Sequence, residues 1–295
     1  MKIIGKITGI NTSDGLINLN VTDEKQNQYN IKTTPESSIE LINGRIYVFE
    51  VNRVVGERIS HQLTSVVSVD DLPLDERNVI LRNFLPSASM SLDELKICVF
   101  DAINKIENKV VKEITYRLVE KYHDAFFIYP AASRMHHAYV GGLAYHSIGM
   151  IKLADGFIEN YPYLRRDYLY AGILLHDIGK AIELNGIQNT EYTLDGQLLG
   201  HLVLGALEIN KMACKLGVED RQEIRLLEHM LISHHGQPQF GAAKRPVTPE
   251  ALALWYIDTI DSKFRVLGEE LEKTEFGKFT DTIGVLDKIK VYKGW

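Results

Sequence analysis

Eight of the ten histidines in this 295-residue chain fall between His136 and His235. Five of these, with two aspartates, form a spaced set: His146, the pair His176-Asp177, His201, the doublet His234-His235, and Asp258. Imidazole and carboxylate are the ligands that borderline divalent ions take, and an ion needs several of them converging on one point. Whatever fold the chain adopts must bring these distant residues together.

The strongest local signal is Leu174-Leu175-His176-Asp177-Ile178-Gly179-Lys180, an apolar helix that ends in His-Asp and is followed by Gly and Lys. Read alone, this is a helix C-terminus with a polar cap, Gly at the C′ position and a Lys that suits the dipole. Adjacent helical residues diverge by roughly 100°. Both can serve a metal only where two ions, or two faces of one site, are presented. A bridging carboxylate beside a terminal imidazole meets that need. Asp258 sits among Trp255, Ile257 and Ile260, where a carboxylate is costly to bury unless paired or metal-bound. Asp261, one turn on, reads as a supporting partner or a wall of the site. His229 reads as structural, His61 and His123 as surface residues.

Along the chain, residues 1–70 carry five short runs rich in Ile, Val, Tyr and Thr: Lys2–Ile10, Leu16–Val21, Gln28–Lys32, Arg45–Val54 and Ser60–Val67. Turn residues such as Ser13-Asp14-Gly15 and Asn43-Gly44 separate them. Alternation puts Ile17, Leu19 and Val21 on one face. Five strands in so short a span predict a small barrel of the OB type. Residues 71–95 are a connector, interrupted by Pro73 and Pro86, with a short helix within Asp75–Asn83. Ser91-Leu92-Asp93-Glu94 is a capping-box pattern that opens a helix. From residue 96 to 266 the pattern is all helical: Asp93–Ile106, Val110–Tyr122, Gly142–Glu159, Asp167–Leu175, Leu198–Leu216, Glu219–Ser233 and Pro249–Val266. Residues 267–295 form an irregular tail. The expected class is α+β and multidomain.

A net charge of −6 argues against a protein that coats nucleic acid by bulk electrostatics. Cys98 and Cys214 make no disulfide framework and read as buried thiols of a reducing compartment. Neither a leader pattern nor an apolar run of membrane-spanning length is present, and the expected location is cytoplasmic. Residues 1–70 hold seven Lys/Arg and eight Asp/Glu, a weak surface for nucleic acid. Tyr47 and Phe49 share one strand face, which is either groove or core. In a groove they would bind substrate by stacking on bases. A docking or oligomerisation role for these residues stays open.

The metal pattern His…His-Asp…Asp resembles the HD-domain superfamily of metal-dependent phosphohydrolases. The segments Tyr129-Pro130-Ala131-Ala132, His136-His137-Ala138-Tyr139-Val140-Gly141-Gly142-Leu143-Ala144-Tyr145-His146, Tyr192-Thr193-Leu194-Asp195-Gly196 and Ser233-His234-His235-Gly236 go further. With Lys273-Thr274-Glu275-Phe276-Gly277, they resemble the YhaM-type 3′–5′ exoribonucleases of Gram-positive bacteria, over essentially the whole chain. The resemblance implies hydrolysis of single-stranded RNA, and of DNA as a further substrate, to nucleoside 5′-monophosphates by a metal-activated hydroxide. It implies a core metal site of His146, His176, Asp177 and Asp258, with Asp177 bridging, and a second position completed by His201, His234 and His235. It implies two divalent ions, Mn²⁺ favoured, while N/O ligation also admits Fe, Co or Zn. Lys180 is placed to stabilise phosphate charge, and His136 and His137 to bind phosphate or protonate the leaving group. A homo-oligomer is plausible on the same ground.

Three other readings compete. One is a phosphodiesterase or nucleotidase on small nucleotides, although the Gly-Tyr-Pro of cyclic-dinucleotide enzymes is absent after His235. Another is a two-iron oxygenase, which Lys180 and the OB-type strands disfavour. The third is a nucleic-acid-binding, replication-associated protein, which the full ligand set disfavours.

Overall fold

The computed structural model describes all residues except 14, 35–39, 56–58, 132–138 and 189. They divide into two compact units, Met1–Ser87 with Gly186–Glu191, and Ala88–Asn185 with Tyr192–Trp295.

The first unit holds β1 (Lys2–Ser13), β2 (Leu16–Thr22), β3 (Gln28–Thr33), β4 (Ile46–Val55), β5 (Ile59–Ser68) and α1 (Leu74–Phe84). The strands pair in the order β1-β2-β3-β5-β4, and β4 returns to β1, so the sheet closes on itself. All pairings are antiparallel except β3 with β5, which run parallel through Ile31↔His61 and Lys32↔Gln62. The alternation read in β2 holds: Leu19 and Val21 are buried and Ile17 packs against them. Gly5 is needed where β1 crosses β2, because a Cβ there would lie 2.4 Å from Val21 Cγ1. Gln188 belongs to this unit; its Oε1 accepts from the Ile46 N–H at 2.6 Å.

Two expectations fail in this unit. Tyr47 and Phe49 are 1% and 0% exposed and lie in the core with Ile3, Ile7 and Ile31. The parity was right, but in a closed sheet that face is the interior. The Tyr47 hydroxyl is also used up, accepting from Ile42 N–H and donating to the Glu40 carbonyl. These rings cannot stack on a substrate base. His61 is buried as well, with its ring edge-on to Tyr29.

The second unit is helical: α2 (Leu92–Asn104), α3 (Lys109–Lys121), α4 (His123–Ile128), α5 (Gly142–Asn160), α6 (Arg166–Leu175), α7 (Lys180–Glu183), α8 (Leu194–Leu216), α9 (Gln222–Ser233) and α10 (Pro249–Lys273). Its starts follow local chemistry. Ser91 and Glu94 form the capping box at α2, and Thr248 caps α10 with Pro249 in the first turn. The very short α4 and α7 carry too few residues for a periodic signal. α10 continues past residue 266 because Glu269–Lys273 are good helix formers. The tail beyond it is not wholly irregular, since Phe279↔Tyr292 and Ile283↔Ile289 form bridges. Cys98 is half-buried and Cys214 exposed, so the second thiol is not the buried residue expected. No helix among the described residues is long and apolar enough to cross a membrane.

Candidate metal centre

Five helices of the second unit each deliver part of the His/Asp set. α5 carries His146, α6 ends at His176 with Asp177 just beyond it, and α9 ends at His234-His235. α10 carries Asp258 and Asp261, and α8 carries His201. α8 is broken at Gly200, whose φ of 71° and ψ of 160° are open only to glycine. The break leaves the His201 N–H without a helical acceptor, and Glu183 Oε1 takes it at 3.0 Å.

Gly179 in the turn after His176-Asp177 has φ −62°, not the left-handed value of a C′ cap. Its role is contact: a Cβ there would lie 2.1 Å from the His201 carbonyl oxygen. Gly149, one turn along α5 from His146, makes room for Asp261 in the same way; a Cβ would meet Asp261 Oδ1 at 2.5 Å.

The rings then form a continuous chain. His176 and His234 centroids are 5.1 Å apart, His234 and His235 4.5 Å, His201 and His235 5.2 Å, and His146 and His176 5.3 Å. Asp177 lies among them. One oxygen is 3.2 Å from His176 Nε2 and 2.7 Å from Lys180 Nζ. The other is 3.4 Å from His201 Nε2 and 3.9 Å from His234 Nε2.

The hydrogen bonds sort the two nitrogens of each ring. His176 Nδ1 bonds the Ile173 carbonyl, His234 Nδ1 the Leu231 carbonyl, and His235 Nδ1 the Phe240 carbonyl. A carbonyl only accepts, so the proton of each neutral ring sits on Nδ1 and the Nε2 lone pair is exposed to the site. His201 Nδ1 is held by Glu183 at 3.1 Å. His176, His201 and His234 then present buried Nε2 atoms with no hydrogen-bond partner among the described residues. Buried polar atoms left unsatisfied are costly. Three converging on one carboxylate, each ring oriented from behind, are the donor set and support that a divalent ion takes. The residues fit the ion: His201, His234 and His235 form one cluster of potential ligands, and His146, His176 and Asp177 another.

A family model for the HD domain matches residues 143–263. The 3′–5′ exoribonuclease YhaM of Geobacillus sp. (strain WCH70) is 38% identical over 251 residues, 84% of this chain and 77% of that protein. The chain belongs to the YhaM family of 3′–5′ exoribonucleases. Family relatives named 3′–5′ exoribonuclease YhaM in Bacillus licheniformis and Bacillus subtilis (strain 168) are 41% and 38% identical over 219 residues, 74% of this chain and 69% of each relative. No solved structure matches it.

Electrostatics in this YhaM-family site follow from burial and from close partners. Burial pushes the His234 imidazolium well below its usual range, with His176 and His235 adding to the effect, so the ring is neutral. Burial lowers His235 in the same direction. Burial alone would raise Asp177, but the Lys180 ammonium at 2.7 Å holds it well below the usual carboxylate range. His146 differs. Burial works against its charge, yet Asp258 at 3.1 Å from Nε2 and Asp261 at 2.8 Å from Nδ1 raise it to about 9.

Of the residues singled out in the sequence, His146, His176, Asp177, His201, His234, His235 and Asp258 meet here. Lys180 meets them too, donating to Asp177 and to the Ala131 carbonyl. His136 and His137 lie outside the described residues. His229 is a structural acceptor, taking the Val247 N–H on Nε2 at 3.0 Å. Asp261 proves to be the partner of His146. Glu183 escaped sequence reading, because a lone Glu on a four-residue helix has no pattern to betray it. The centre opens into a cleft of about 710 Å³, whose walls include Asp258, Lys263, Phe240 and Tyr256.

Proposed function

We propose that this chain shortens single-stranded RNA, and DNA as a second substrate, from the 3′ end, releasing nucleoside 5′-monophosphates. The observation that carries this reading is the three unpartnered Nε2 atoms gathered around Asp177 at the floor of an open cleft. His146, His176, Asp177 and Asp258 would hold one ion, and His201, His234 and His235 a second, with Asp177 shared; Mn²⁺ is favoured. When bound, divalent ions lower the pKa of water and neutralise phosphate charge.

The chain's own residues do the rest. The backbone carbonyls behind His176, His234 and His235 hold a proton on each Nδ1, which leaves each Nε2 as the atom that would meet an ion. For His146 to ligate through Nε2, the proton there would leave to solvent as the ion binds, while Asp261 at 2.8 Å keeps hold of Nδ1. Lys180 uses two of its three N–H bonds on Asp177 and Ala131, and the third offers a charged donor to a phosphate oxygen. His136 and His137 are assigned to phosphate binding or leaving-group protonation.

The strand order β1-β2-β3-β5-β4 with a parallel β3–β5 pair supports the OB-type reading of residues 1–70. The assignment of residues 71–95 as connector, 96–266 as the HD part and 267–295 as tail belongs to the same proposal, as does a cytoplasmic location.

The test is a 5′-labelled single-stranded RNA with Mn²⁺, wild type beside Asp177→Ala. A ladder that shortens from the 3′ end and falls by about 10³-fold or more in the variant is expected. Intact RNA with metal-loaded wild type overturns the reading and turns attention to small nucleotides.

A further inference from the structure

The cleft has a second wall that the metal residues do not use. Phe240 and Tyr256 are 62% and 48% exposed on it. The Trp255 ring stacks on Tyr256, with centroids 4.8 Å apart and planes 21° from parallel. Large rings gathered at the mouth of a site, open to water, are characteristic of surfaces that bind something apolar and flat.

Two contacts tie this wall to the histidine doublet. Gly236 has φ +75°, and a Cβ there would lie 2.0 Å from Trp255 Cε2, so the turn after His234-His235 rests directly on the indole. The Phe240 carbonyl accepts from His235 Nδ1 at 2.8 Å, so the same hydrogen bond orients a potential ligand and fixes the backbone of Phe240. On α10, Tyr256, Thr259 and Lys263 follow at helical spacing and all line the cleft. Seven residues of helix place the Cα atoms of Tyr256 and Lys263 roughly 10 Å apart along the axis, with Asp258 between them in sequence.

We propose that Phe240 and Tyr256, backed by Trp255, stack on the terminal base of the substrate while its phosphate lies at Asp177, and that Lys263 holds a neighbouring phosphate. This rests on the exonuclease reading and adds to it the side chains that hold the terminal base, with no preference for its identity. Every base has a π-face, so stacking on a bare ring is tolerant of base identity. A base still stacked within a duplex cannot lie on the wall.

The test compares binding of adenosine 5′-monophosphate and ribose 5-phosphate to the full chain with Mn²⁺, by calorimetry. Both ligands carry the same phosphate, so the affinity ratio isolates the base. Wild type is expected to favour the nucleotide by at least about tenfold, the other three nucleoside 5′-monophosphates falling within about fivefold of it. Tyr256→Ala and Phe240→Leu should bring the ratio to within about twofold, and Tyr256→Phe should keep it. Melting curves on each variant show that the fold is intact. A wild-type ratio near one, or a ratio that survives both ring removals, overturns the proposal. The RNA ladder is run on the same protein. A ladder with a flat ratio leaves the exonuclease standing without the stacking wall. A ring-dependent ratio with no ladder leaves the base-binding wall and removes the exonuclease.

Discussion

The core of the β unit and the floor of the metal cleft are both made of buried side chains, yet they are filled with opposite chemistry. The first packs Ile7, Leu19, Ile31 and Phe49, whose removal from water is what drives a small unit to fold. The second buries His146, His176, Asp177 and His234, whose desolvation opposes folding. The helical unit supports that unfavourable floor with apolar neighbours on the same helices, including Leu174, Leu231 and Leu254. Aromatic rings show the same division. Tyr47 and Phe49 are structure; Phe240 and Tyr256 face an open cleft. The difference teaches that residue type does not separate a core ring from a binding ring; the face of its element does.

Substitutions can break or sharpen this contrast. The largest stability effect belongs to Phe49→Ala, expected to destabilise by about 4 kcal/mol in chemical denaturation. Metal content per folded molecule should be unchanged, and a parallel loss of metal would break the contrast. Glu183→Ala acts on the other side. It removes the carboxylate that orients His201, and the affinity for Mn²⁺ should fall by about 10- to 100-fold in a calorimetric titration.

Glu208 on α8 is buried like the floor but satisfied by structure alone. Burial would raise its carboxyl, yet Lys121, Lys211 at 2.9 Å and Tyr122 hold it at about 2. A depressed folded pKa stabilises above the unfolded value of 4.5, and that stability is lost as pH falls from 4.5 toward 2. In chelator, wild type should lose about 2 kcal/mol more than Glu208→Gln between pH 7 and pH 3. Equal pH profiles would show that the pair contributes nothing. The smallest effect is on Phe240→Ala, whose stability should stay within about 0.5 kcal/mol of wild type because the ring is already in water. A larger drop in the denaturation midpoint would make Phe240 a core residue after all.

Much of the architecture was legible before the structure. The capping box Ser91–Glu94, the Thr248-Pro249 start of α10 and the alternation of β2 are local, and local chemistry decided them. The spacing of His146, His176-Asp177, His201, His234-His235 and Asp258 was legible as a ligand set because ligands must be of few kinds. Glu183 and the break at Gly200 were not legible. Both act through one hydrogen bond between segments whose separation in sequence carries no rule. Tyr47 and Phe49 were ambiguous for a related reason: parity says which residues share a face, and only sheet closure says which face is inside.

By itself, then, the sequence determined a run of strands, a run of helices and the chemical identity of a metal-binding set, since propensity, capping and ligand type reside in single residues and short spacings. Tertiary structure alone decided which nitrogen of each ring faces the site, which carboxylate stands behind His146 and His201, and which aromatic rings meet the cleft. Those outcomes depend on packing between helices far apart in the chain, where a fraction of an ångström at Gly179, Gly149 or Gly236 decides whether two segments can touch at all.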